Sequence, residues 1–194
     1  DTAAQRGAQQ GLAEAQMQGE FLGQTYHLDA SAADAVAIVA ALPAAELQAL
    51  AAAHPDKPVL NVSADDDSLR AHCRANLFHV LPSARMRADA VAQWQQANPD
   101  AAGVSARAWH ASFEKYAASQ LNKRYSAEFS QPMDDESWAG WAAVKLVSDT
   151  VAREQSAAPA VLLEALHERL AFDGQKGVDM RFRSDGQLGQ PLLL

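Results

Sequence analysis

A single cysteine, Cys73, stands in 194 residues, so no intramolecular disulfide can form and the core must hold without covalent cross-links. Aromatic residues are scarce, at 7%. Much of the 48% apolar content is alanine, which buries little area, so Leu, Val, Phe and Trp must carry the core. No stretch approaches the roughly 20 consecutive apolar residues of a membrane span, which argues against an integral membrane protein. Positive charge is short: 16 Lys and Arg face 24 Asp and Glu, for a net charge of -8. That balance excludes a nucleic-acid partner, which needs a basic face to neutralise phosphates. It leaves room for a small anion, because one local Arg can outweigh the global field. The polar start Asp1-Thr2-Ala3-Ala4 carries no charged-then-apolar leader, so the expectation is either a cytosolic protein or one whose signal peptide has been removed.

Chemistry-bearing patterns are missing as well. Paired carboxylates at catalytic spacing, a nucleophile elbow, a P-loop and a dinucleotide fingerprint are all absent. No catalytic residue, metal ligand or cofactor is therefore assigned, and the chain is not expected to be an enzyme.

What is present is a regular alternation. An Ala/Gln-rich helix is expected over 3–18, ending at Gly19. A strand is expected over 21–28, on the β formers Thr25 and Tyr26. Apolar runs at 36–41, 58–63 and 77–81 read as strands buried on both faces. Between them lie a helix opened by Pro43 at its first position, a short helix through Arg74, and a helix opened by Pro82-Ser83 and running to Ala97. Strand, helix, strand with short connections means a parallel sheet covered by helices. After a polar passage at 98–104, Trp109, Phe113, Tyr116, Leu121 and Tyr125 fall at helical spacing and predict one long helix over 105–129. Further helices are expected from Asp134 or Asp135 and from Pro159. The turn signature Ser184-Asp185-Gly186 predicts a hairpin between 178–182 and 191–194.

Several residues invite sharper readings. Asp65-Asp66-Asp67 could hold a hard cation, but no EF-hand spacing surrounds it, and adjacent carboxylates commonly face solvent. His72, Cys73 and His79 form a zinc-like set on paper, yet His72 and Cys73 are neighbours that would face different ways on a helix. Cys73 reads as a half-buried structural thiol rather than a nucleophile. His110 reads as exposed or capping. Trp138 and Trp141 lie in an apolar helix and read as core, with a stacking platform for a flat quinone as the alternative.

The element order and the tail (Phe172-Asp173-Gly174, Gly177-Val178, then Phe182 to Gly186) resemble the type I periplasmic ligand-binding components of ABC transporters for branched-chain amino acids. A narrower resemblance is to the substrate-binding proteins associated with pyrroloquinoline quinone (PQQ)-dependent alcohol dehydrogenase systems. It rests on an ordered set: Arg6-Gly7, Phe21-Leu22-Gly23-Gln24, Cys73-Arg74-Ala75-Asn76 with His79, Pro82-Ser83, Trp109-His110, Gln120-Leu121-Asn122 with Arg124, Trp138-Ala139, Trp141-Ala142-Ala143-Val144, and Asp185-Gly186-Gln187-Leu188 with Gln190-Pro191. Two departures stand out: the usual first strand is not in this chain, and the passage 98–104 takes the place of a second αβ lobe.

The resemblance implies an α/β fold with three layers, a mostly parallel sheet flanked by helices, like one lobe of such a protein. One domain is expected over 1–194: an αβ half at 1–97, the linker 98–104, and a helix-rich return at 105–194. It also implies a periplasmic, non-catalytic binding or accessory protein. Its ligand would be PQQ or an alcohol-derived solute, and its partners an ABC transporter permease or a periplasmic dehydrogenase. In α/β sheets ligands sit at the carboxyl ends of the strands, which singles out Leu42, Pro43, Ser63, Ala64, Asp65 and Asp66 as candidate ligand contacts. The competing reading has Ser63 and Asp65 capping the helix that follows. A competing function is a protein–protein module, a homodimer or a docking unit, that covers the apolar face left by a missing lobe.

Overall fold

The computed structural model describes residues 1–194. Three parallel strands form its centre, in the order β1 (Ile38–Ala40), β2 (Val59–Asn61), β3 (Leu77–His79). The runs at 58–63 and 77–81 supply β2 and β3, buried along their whole length, as unbroken apolar runs should be. Alternate residues face opposite ways. Val59 and Leu77 join Leu47, Ala51 and Leu69 in a small cluster beneath α2 (Ala44–Ala53) and α3 (Asp67–Ala71). Leu60 and Phe78 join the main core of 27 residues on the other face. Helices on both faces of the sheet make the three-layer α/β fold the sequence predicts.

The main core is organised by a pair of 20-residue helices, α1 (Ala3–Leu22) and α6 (Asp135–Glu154). Both begin with a capping box, from Thr2 and Gln5 in one and Asp134 and Ser137 in the other, which satisfies free N–H groups of the first turn. α6 buries 13 of its 20 residues, including Trp138 and Trp141. Around it lie α4 (Ala84–Ala97), α5 (Ala118–Phe129) and α7 (Pro159–Glu168). A short antiparallel ladder pairs β4 (Arg181–Phe182) with β5 (Leu188–Gly189). No helix is long and apolar enough to cross a membrane.

Four expectations need correction. The first helix does not stop at Gly19 but runs to Leu22, and Gly23, at φ 68°, ends it. Gly19 is there for space: a side chain on it would strike the backbone carbonyl of Gln24 where the chain turns back. Residues 24–28 form no strand. Phe21 belongs to the exposed end of α1, and a groove of about 780 Å³ separates 24–28 from β1, so the β formers there have no neighbour to pair with. Residues 105–117 are irregular rather than helical. Trp109 is still buried, because its indole N–H donates to Asn122 Oδ1 at 2.8 Å while Asn122 Nδ2 donates to the carbonyls of Ala111 and Phe113. Finally, the hairpin partner is Leu188–Gly189 rather than 191–194; the tail pairs with Arg107 instead, through reciprocal backbone bonds between Arg107 and Leu193.

Candidate functional site

Parallel strands put the exits of β1, β2 and β3 on one edge of the sheet. The β1 exit carries Leu42 and Pro43. Leu42 is half-buried against the small cluster, and Pro43 is the N-cap of α2 rather than its first residue. The β2 exit carries Ser63, Ala64, Asp65 and Asp66. Ala64 is buried, Ser63 is half-buried, and both aspartates are exposed.

The β2 exit loop is held from below by a buried polar network. Asn61 Oδ1 accepts from the N–H groups of Ser63 (3.1 Å) and Ala64 (2.9 Å). Its Nδ2 donates to the Ala64 carbonyl at 2.7 Å and to His79 Nδ1 at 2.9 Å. The Arg70 guanidinium, 8% exposed, donates to the carbonyls of Ala64, Asp66 and Leu81 and to Gln187 Oε1. Gln187 in turn donates to the carbonyls of Leu81 and Leu188 and bridges the chain beside β3. Nη1 is thus spent on the loop, while Nε and Nη2 tie it to Gln187 and to the chain after β3. Arg70 is a scaffold and not an anion hook. Burial pulls its pKa down to about 10, against the opposing pull of Asp67, Asp65, Asp185 and Asp66.

The capping alternative is not realised. α3 begins at Asp67, and its N-cap Asp66 makes no side-chain cap bond. Asp65 instead offers its backbone carbonyl to Ala84 N–H, and Asp67 Oδ1 accepts from Arg85 N–H at 3.2 Å. These bonds fasten the start of α4, which Ser83 caps through Met86 N–H. The edge therefore presents an ordered loop whose exposed side chains are acidic.

The other candidates fall apart in space. His79 is fully buried while Cys73 is exposed, so the expected half-buried thiol is a surface group. No three His, Cys, Asp or Glu side chains converge on one point. His110 is exposed and bonds Ser112. Trp138 and Trp141 are buried. Trp138 stacks on Trp109 with centroids 6.1 Å apart, and the ammonium of Lys176 lies 4.1 Å from its ring, so neither indole is open to a flat ligand. None of the five cavities between 300 and 780 Å³ is lined by Leu42, Pro43, Ser63, Ala64, Asp65 or Asp66. The carboxyl-edge loops stand outside these cavities.

Asn61 and Arg70 escaped the sequence reading, and His79 and Gln187 entered it only in a zinc-like set and in the resemblance strings, not as parts of this network. The available signal was a polar residue at the end of each of two apolar strands, Asn61 and His79. His79 also yields a pH prediction. Asn61 fixes its tautomer: Nδ1 accepts, so the proton sits on Nε2, which is buried without a partner. Burial first, then Arg70, lowers the His79 pKa from 6.5 to about 3. The unfolded chain takes up a proton near pH 6.5 that the folded chain refuses until about pH 3. Stability is therefore complete above about pH 6.5 and falls as pH drops towards 3, by up to about 1.4 kcal/mol per pH unit. Urea denaturation across that range is expected to show a shallower loss for His79→Gln than for the parent. Equal slopes would contradict the buried neutral imidazole.

No family model matches the chain, and no curated protein sequence does. Solved structures do. A branched-chain amino acid ABC transporter periplasmic ligand-binding protein from Burkholderia xenovorans LB400 superposes with a TM-score of 0.80 at 12% identity, over 98% of this chain and 83% of that one. An ABC transporter substrate-binding protein from Desulfitobacterium hafniense gives a TM-score of 0.67 at 12% identity, over 95% of this chain and 91% of that one. At that identity the likeness is one of fold: this chain has an α/β architecture resembling that of the type I periplasmic binding proteins.

Proposed function

We propose that this chain is a non-catalytic, periplasmic solute-binding or accessory component of the ABC-transporter type, serving a PQQ-linked alcohol-oxidation system. The observation that carries the binding reading is the ordered loop at the carboxyl edge, on a fold otherwise seen in substrate-binding proteins. The PQQ and alcohol link rests on the ordered set of short residue strings quoted above. Leu42, Pro43, Ser63, Ala64, Asp65 and Asp66 form one wall of the ligand site, completed by a partner surface such as a transporter permease or a periplasmic dehydrogenase. Of the two implied solutes, a neutral alcohol-derived one suits the wall better than PQQ, because exposed Asp65 and Asp66 repel a polyanion. In an open site these aspartates would accept hydrogen bonds from hydroxyl groups.

That the carboxyl-edge loops line none of the five cavities between 300 and 780 Å³ favours a second reading, that of a protein–protein module in which a second copy or a partner covers the edge without any solute. A thermal-shift screen against PQQ, short alcohols, aldehydes, acids and calcium or lanthanide ions separates the two. Binding to the native state alone raises the melting temperature, and a solute at 100 times its Kd contributes about 2.7 kcal/mol. The expected result is a rise with an alcohol or aldehyde that is lost in Asp65→Asn/Asp66→Asn. No shift with any solute, together with a dimer in light scattering, would overturn solute binding in favour of the module.

A further inference from the structure

α4 (Ala84–Ala97) is the anomaly of the surface: 14 residues of helix with none buried. Its last turn carries Trp94, 43% exposed, while the other three tryptophans are 0–1% exposed. Two cavities of about 610 and 660 Å³ flank the helix, and both are walled by Trp94, Leu192 and Leu194. They lie side by side along the C-terminal tail and share that wall, as one composite groove. Arg107 lines one half and Arg183 the other. Neither guanidinium makes a salt bridge or side-chain hydrogen bond, whereas the one acidic side chain of the lining, Asp89, is already paired with Arg85. In a chain of net charge -8, a groove with an apolar floor and two uncommitted cations selects for negative charge.

We propose that this groove docks an acidic, apolar peptide segment of a partner protein. A large apolar side chain would seat against Trp94, Leu192 and Leu194, with a carboxylate on each of Arg107 and Arg183. Exposed Trp and Arg are the residue types that anchor interfaces, and a bidentate guanidinium–carboxylate contact fixes register. Two cavities sharing a wall suit an extended segment better than one small molecule. A second copy docking through the same surface would bring like charges together, which disfavours self-association here. The site stands apart from the solute wall, since its lining includes none of the carboxyl-edge loops.

The probe is a short peptide alternating glutamate and leucine, with the lysine–leucine counterpart as control. Because three of the four tryptophans are already buried, a blue shift of indole emission on binding reports Trp94. The expected result is saturable binding of the acidic peptide only, weakened about tenfold or more by Arg107→Glu/Arg183→Glu. Calorimetry should show the same loss for Trp94→Ala, a surface change that leaves the fold intact by circular dichroism. Asp65→Asn/Asp66→Asn should leave peptide binding unchanged. Equal binding of the lysine peptide, unchanged affinity in the charge-reversed protein, or no binding at all would overturn the proposal. So would a dimer that Trp94→Ala dissolves, which would assign the groove to a second copy.

Discussion

Replacing Gly7 and Gly140 together by alanine is expected to cost on the order of 3 kcal/mol of stability or more, near the upper end for overpacking. In most helices the change would be favourable, because alanine is the better helix former. Here α1 and α6 touch backbone to backbone. A Cβ on Gly7 would fall on the carbonyl of Ser137, and one on Gly140 on the carbonyl of Ala4. Gly11 is close but less tight than either, with the Trp141 carbonyl oxygen 2.9 Å from its Cβ position. Rigid backbone cannot step aside as a side-chain tip can, so the helices must separate, and the core they share loosens with them. Gly103→Ala is the control: it sits at φ 71° with nothing near it, and should cost only the left-handed backbone penalty, about 1 kcal/mol. Urea midpoints followed by circular dichroism compare them. A Gly7/Gly140 double variant no weaker than Gly103→Ala would refute the close approach.

Arg70→Leu is expected to cost on the order of 3 kcal/mol and to free the β2 exit loop. Hydrogen bonds to a charged group contribute about 1.5–3 kcal/mol each. The substitution strands Gln187 Oε1 and three backbone carbonyls that Arg70 now satisfies. The local signature matters more than the total. Amide exchange at Ser63 and Ala64 should speed up well beyond that of β2 itself. Arg70→Lys should rescue little, since a single ammonium cannot reproduce a planar fork with four acceptors around it. If lysine restored slow exchange, the fork would not be what holds the loop.

The two kinds of residue differ in how legible they were. β2 and β3 could be read directly, because a run such as Val59-Leu60 between a proline and a polar loop has no other stable home than a strand covered on both sides. Residues 21–28 misled, because strand formation is a property of pairs, and the β preference of Thr25 and Tyr26 says nothing about whether a neighbour exists. Residues 105–117 misled for a related reason. Trp109, Phe113 and Tyr116 recur at helical spacing, but Trp109 is buried by Asn122 and the chain around it is shaped by the tail through Leu193. At the candidate site the loop positions followed from the general rule for parallel sheets. The network beneath them did not: Arg70 meets Gln187 across 117 positions of sequence, a distance no local pattern spans. Nor could local pattern tell a pocket from an open face, which depends on what lies across the edge.

The most direct test of solute binding at the carboxyl edge is an amide chemical-shift titration of the isotope-labelled protein with the alcohol or aldehyde that raises its melting temperature, and with PQQ in parallel. Saturable shifts should centre on Leu42, Ser63, Ala64, Asp65 and Asp66 with the neutral solute, and be weaker or absent with PQQ. Shifts confined to other surfaces, or none with any solute, would contradict the assignment of that edge as a binding wall.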